Sequence, residues 1–189
     1  VEVVLEYLNR GGSPDKVIQA IGEARQGRIE WMDLTGDGEP ELVLHLFYFM
    51  VYQCEQGQYL EVIRVSPMDL MSPPVAEIRD LNANGIPELV VSTMFFGAHD
   101  GTLSMYIYEW DGEGFINRLP VKIDHPYGDR AVAYVELGSV HMYNGSIRYA
   151  DVDNNGTVEI LLNGGGDDFY ENTIWMWNGE LFDLHAATQ

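Results

Sequence analysis

Cysteine is nearly missing from this chain: Cys54 stands alone among 189 residues. No disulfide can form within the chain, and cysteine usage says nothing about the redox compartment. Basic residues are scarce too, with 10 Lys and Arg against 30 Asp and Glu, a formal charge of −20 at pH 7. Such a balance excludes an ordinary nucleic-acid binder and suits cationic ligands or metal ions. No run of 18 apolar residues occurs, so no transmembrane helix is expected. No leader pattern opens the chain, and a start at Val1 is read as the sign of a leader already removed.

Signatures of catalysis are also lacking. There is no G-x-S-x-G, and the glycines at 164 to 166 have neither the lysine nor the helix of a phosphate loop. The five histidines (45, 99, 125, 141, 185) form no HxxxH-type pair, so zinc is not expected. Cys54 falls in a hairpin and is read as structural. What is abundant is different: 46% apolar residues, 12% aromatics and 20 glycines. These favour a real core, strands and many turns.

One phrase recurs three times. DLTGDGEPELVL (33–44), DLNANGIPELVV (80–91) and DVDNNGTVEILL (151–162) share Asp at position 1, Gly at 6, Glu at 9 and aliphatic residues at 10 to 12. A strand-like run precedes each (RIEWM, VAEIR, SIRYA), and another follows (ELVLHLFYF, ELVVSTMFF, VEILL). Hairpins complete the units: MVYQCEQGQYLEVIRV bends near Gly57, MYIYEWDGEGFINRL at Asp111-Gly112, and IWMWNGELFDL at Asn178-Gly179, a type I′ signal. Four strands over roughly 40 residues is blade spacing. The expected fold is therefore mainly β: three four-stranded antiparallel, propeller-like blades at about 28–65, 76–120 and 147–185. An insertion at 121–146 carries a further hairpin, AVAYVEL and SVHMY. Residues 1–26 form a separate helical segment ahead of the repeat domain at 27–189, with Ser13 as N-cap and Pro14 at the first helical position. That segment is expected to cover one edge or end of the sheets.

The loops carry the chemistry. A hard cation such as Ca²⁺ takes oxygens from alternate residues of a tight turn, then a backbone carbonyl. The first loop offers Asp33, Thr35, Asp37 and the Glu39 carbonyl. The second offers Asp80, Asn82, Asn84 and the Ile86 carbonyl, and the third Asp151, Asp153, Asn155 and the Thr157 carbonyl. An EF-hand would close with Glu at position 12, where this chain has Leu44, Val91 and Leu162. Closure is expected instead from Glu41, Glu88 and Glu159 at position 9, the first residue of the following strand. Up to three calcium sites follow, the second weakest because it has two carboxylates against three. A turn held only by Asx hydrogen bonds is the alternative.

The pattern D-x-[DNT]-x-[DN]-G-x-x-E before an aliphatic run resembles the FG-GAP or VCBS-type repeat of integrin-α-like β-propellers. The resemblance implies a blade fold, calcium in each inter-strand loop and an extracellular or cell-surface location. The chain departs from the family in its closing Glu, in Thr35, and in FFGAHDG (95–101), which lacks the proline of the Phe-Gly…Gly-Ala-Pro element. It also has three units where family rings have about seven, so a partial or open propeller is expected.

Loops opposite the calcium loops supply a candidate ligand face: His99, Asp100, Asp167, Asp168, Tyr170 and Glu171. Trp31, Trp110, Trp175 and Trp177 are read as packing residues. The function this supports is a non-catalytic calcium-binding module for protein or glycan binding or structural spacing. Two alternatives stand beside it: a polysaccharide hydrolase or lyase on a propeller scaffold, and a scaffold that self-associates through open blade edges.

Overall fold

A computed structural model of the protein describes residues 2–24, 27–66, 74–96, 101–121, 133–136, 139–166 and 169–188. Two helices come first, α1 (Glu2–Asn9) and α2 (Pro14–Ala24). The turn between them is a Schellman close: Gly12 N–H donates to Tyr7 O, Gly11 N–H to Leu8 O, and Gly11 takes φ +83°. Pro14 opens α2 as expected, its missing N–H being one the helix start does not need.

Three antiparallel sheets follow. The first has the order β1 (Arg28–Met32), β2 (Glu41–His45), β3 (Phe49–Glu55), β4 (Gln58–Val65). The second begins with β5 (Val75–Arg79), β6 (Glu88–Phe96) and β7 (Gly101–Trp110), and adds β8 (Phe115–Asn117), β9 (Ala133–Glu136) and β10 (Ser139–Tyr143). The third is β11 (Ser146–Ala150), β12 (Glu159–Gly166), β13 (Phe169–Trp177), β14 (Phe182–Thr188).

The middle sheet is thus six-stranded, not four. β8 is three residues long and pairs only with Tyr108 to Trp110 of the ten-residue β7. The rest of that edge, Thr102 to Met105, is taken by β10, with β9 outside it. The expected insertion therefore completes an edge that would otherwise offer unpaired backbone groups. A second difference lies in ELVLHLFYF. β2 stops at His45, Leu46 N–H closes onto Tyr48 O at 3.0 Å, and Phe49 opens β3.

Apolar layers explain why Glu is followed by an unbroken aliphatic run. Leu42 and Leu44 of β2, with Met50 and Tyr52, meet Leu8 and Val17 of the helices. Val43 points the other way and joins Phe49, Val51, Leu89 and Val91 between the first and second sheets. Val90, Met105, Ile107, Val140 and Met142 then meet Ile160, Leu162, Trp175 and Phe182 between the second and third. Strands β2 and β6 are buried on both faces, which abolishes polar alternation. Each fully buried Leu there contributes about 1.5–3 kcal/mol. Gly164 lets the third sheet approach: a Cβ would sit 2.3 Å from the Tyr143 carbonyl. Among the described residues no helix is long and apolar enough to cross a membrane.

Hairpin chemistry differs from the expected type I′ turn at Asn178-Gly179. Asp111 N–H bonds to Gly114 O and Asn178 N–H to Leu181 O, so the two-residue connections are Gly112-Glu113 and Gly179-Glu180. Their glycines take φ +101° and +103°, the first-position glycine of a type II′ turn. Asp111 and Asn178 instead accept the N–H groups two and three residues on. The type I′ pattern occurs at Gln56-Gly57, with φ +51° and +80°.

Candidate metal-binding loops

Each acidic loop joins the first two strands of its sheet in the same register. Met32 pairs with Glu41, Arg79 with Glu88 and Ala150 with Glu159, so position 9 lies opposite the residue just before the loop. The backbones agree as well. Position 4 is left-handed in all three (Gly36 φ +74°, Ala83 +60°, Asn154 +58°), and so is position 6 (Gly38 +89°, Gly85 +89°, Gly156 +92°). Glycine at position 6 is what makes that second turn accessible without strain.

Hydrogen bonds repeat around this frame. The Asp at position 1 accepts N–H groups with both oxygens: Asp33 from Gly36 and Gly38, Asp80 from Asn84 and Gly85, Asp151 from Asn155 and Gly156, at 2.7–3.1 Å. The position 5 oxygen accepts the position 7 N–H: Asp37 from Glu39, Asn84 from Ile86, Asn155 from Thr157. The closing glutamate turns one oxygen onto the position 2 N–H: Glu41 onto Leu34, Glu88 onto Leu81 at 2.7 Å each, Glu159 onto Val152 at 2.6 Å. All three closing glutamates are buried. Asx bonding therefore shapes the loops, yet apart from Asn155 Oδ1, which also accepts the Thr157 hydroxyl, each such oxygen retains a lone pair that a cation can use.

Whether the donor set fits a hard cation is decided by the buried oxygens. Glu88 is wholly inaccessible, and its second oxygen, Oε1, has no hydrogen-bond partner. Thr35, at position 3 of the first loop, is 6% exposed, and its Oγ1 likewise has none. A buried carboxylate oxygen without a partner is costly unless a cation meets it. In the third loop Asp151, Asp153 and Glu159 each bring a carboxylate oxygen within 4.8 Å of the others. Oxygens about 2.3–2.6 Å from one calcium would be separated by up to about 5 Å. The third loop's carboxylates are spaced so that one such ion could lie between them. Among the described residues no other trio of His, Cys, Asp or Glu gathers in this way, so Asp33, Asp37 and Glu41 of the first loop stand further apart.

Electrostatics agree with that geometry. The Glu88 carboxyl is pushed up to about 7, by burial first, with Glu109 and Asp80 adding to it against the Leu81 N–H that favours its charge. Glu41 is raised too, by burial first, with Asp37 and Asp33 adding to it against the Leu34 N–H. A divalent cation reverses the sign of that environment.

Glu109 lies outside the loop motif, and the motif does not mark it as a site residue. It lies on β7, is 1% exposed, and accepts from Asn82 Nδ2 at 3.2 Å and Asn84 Nδ2 at 2.5 Å. Its other oxygen takes Arg118 Nε at 2.5 Å. The signal was in MYIYEW, where alternation sets Glu109 in line with Met105 and Ile107, an acid on the inward face of a strand.

Other expected residues are placed differently. His99, Asp100, Asp167 and Asp168 lie outside the described residues. Tyr170 is exposed and Glu171 fully buried, both within β13, since strands β12 and β13 extend through most of what reads as a loop. Trp175 is core and Trp177 packs against it, as expected. Trp31 is not core: it is 38% exposed and lines a pocket of about 630 Å³ with Asp37, Glu39, Glu41, Cys54 and Tyr59. Cys54 is exposed there, not packed. That pocket's carboxylates all belong to the first loop, so it holds no independent acid–base pair.

Comparison with family models and with curated proteins finds no match to this chain.

Proposed function

We propose that the protein is a calcium-stabilised, non-catalytic module whose sheets are propeller-like blades, acting outside the cell or at its surface as a binding or spacing unit. The observation that carries this reading is Glu88: a carboxylate with no solvent access and one oxygen without a partner, at the position where the loop pattern needs its closing ligand. Asp80, Asn82, Asn84 and Glu88 would hold the ion in the second loop. Asp151, Asp153, Asn155 and Glu159 would do so in the third, and Asp33, Thr35, Asp37 and Glu41 in the first. Bound calcium would supply charge neutralisation and a cross-link between adjacent strands. The blade arrangement and extracellular setting draw support from the resemblance to FG-GAP and VCBS-type repeats and from the acidic composition.

Thermal unfolding in chelator and in millimolar calcium tests the reading. Binding only to the folded state at about 100 times the dissociation constant adds about 2.7 kcal/mol, so a clear rise in melting temperature is expected with calcium. Coincident melts would reject calcium as the stabilising ligand.

A further inference from the structure

We propose that Glu109 is a positioning residue of the second loop, which fixes the amides of Asn82 and Asn84 so that both carbonyl oxygens face one divalent cation. The inference rests on the calcium reading above and extends it to a residue outside the loop motif.

The argument begins with hydrogen-bond polarity. An ionised carboxylate only accepts, and an amide has one donating and one accepting end. Glu109 Oε1 meets both amide side chains, at 3.2 Å from Asn82 and 2.5 Å from Asn84. Their NH₂ ends must therefore face Glu109, and both Oδ1 atoms must turn away from it. Those oxygens lie within the loop, where Asn82 Oδ1 accepts Asn84 N–H at 3.0 Å and Asn84 Oδ1 accepts Ile86 N–H at 2.7 Å. The same loop contains the partnerless Oε1 of buried Glu88, an independent sign that a cation belongs there.

Glu109 is itself held. Arg118 Nε binds its second oxygen at 2.5 Å, and the guanidinium lies 5.5 Å from the Trp177 ring centre. Arg118 N–H also bonds to Ile107 O, and Arg118 O accepts from Phe182 N–H. Neither sibling loop has such a clamp at position 5: that residue is Asp37 in the first, and Asn155 in the third bonds its amide to Asp153 within its own loop. The second loop, with fewest carboxylates in its motif, is the one supported by a buried acid from another strand.

Calcium titration followed by amide NMR tests this. Gly38, Gly85 and Gly156 each occupy position 6 of one loop, so their resonances report the loops separately. Glu109→Gln keeps the shape but lets either amide end face it. Glu109→Asp keeps the charge opposite Arg118 but shortens the reach, and it carries the test should Glu109→Gln fail to fold. Both variants are expected to raise the calcium midpoint at Gly85 about tenfold or more, the range for lost outer-shell support. The Gly38 midpoint is expected to stay within about twofold, as for a distant site. An unchanged Gly85 midpoint, an equal shift at Gly38, or a parental midpoint in Glu109→Asp would overturn the positioning role while leaving the calcium reading intact. A parent protein in which no glycine responds to calcium would overturn both.

Discussion

Val158 N–H donates to the Leu81 carbonyl at 2.7 Å, so the third acidic loop is hydrogen-bonded to the second. Leu81 is held on both sides, because its N–H is bound by Glu88. Val158 stands at position 8, where the other two loops have Pro40 and Pro87. Proline thus fits that backbone but lacks the donor. Val158→Pro should remove one inter-sheet hydrogen bond with little strain. A loss of about 0.5–1.5 kcal/mol is expected by urea unfolding. An unchanged midpoint would show that the bond contributes nothing to stability.

Ala83 occupies the left-handed region at φ +60°, where the first loop has Gly36 and the third Asn154. A Cβ there costs roughly 1–2 kcal/mol, and Gly or Asn relieves it. Ala83→Gly is expected to stabilise the protein by about 1 kcal/mol, less any unfolded-state entropy. Gly85→Ala should do the reverse at φ +89°. Paired chemical melts of the two variants check the opposed signs.

These loops are readable because the hydrogen bonds that all three share are local. Asp80 reaches four and five residues ahead, and Glu88 seven residues back. VAEIR and SIRYA match their strands because each alternates strictly between exposed and half-buried positions, and RIEWM matches although its alternation breaks at Glu30. ELVLHLFYF misled because burial on both faces of β2 hides the period at which the strand stops. Glu109 was hidden by distance: it meets Asn82 across 27 positions, and only its place on an inward face hinted at a partner. Trp31 shows the converse: an aromatic in a strand reads as core, yet on the face it shares with Leu42, which the helices cover, it stays 38% exposed.

Asn9, the last residue of α1, imitates a β-strand. Its Nδ2 donates to Tyr59 O at 3.0 Å and its Oδ1 accepts Tyr59 N–H at 2.7 Å, which ties the helices to the edge strand β4. Asn9→Asp keeps the acceptor but loses the donor and sets a carboxylate beside a carbonyl. The cost should be about 1–3 kcal/mol, that of a half-buried group left unsatisfied. Hydrogen exchange should show earlier opening of α1 with the first sheet's interior still protected. Equal protection of α1 in both proteins would remove the clamp from the account.

Glu88 gives a prediction whose sign depends on the medium. In chelator its buried charge has Asp80 and Glu109 nearby, and burial alone already disfavours ionisation. Glu88→Gln removes that charge and keeps an oxygen for the Leu81 N–H. At neutral pH without metal the variant should be more stable than the parent, by on the order of 2 kcal/mol. In millimolar calcium the order should invert, because the variant loses a charged ligand and with it much of the binding-linked stabilisation. A general packing defect lowers stability in both media, and a purely structural carboxylate shows no dependence on calcium. Only a crossing of the two melting orders assigns Glu88 to the metal, and differential scanning calorimetry on four samples reads it directly.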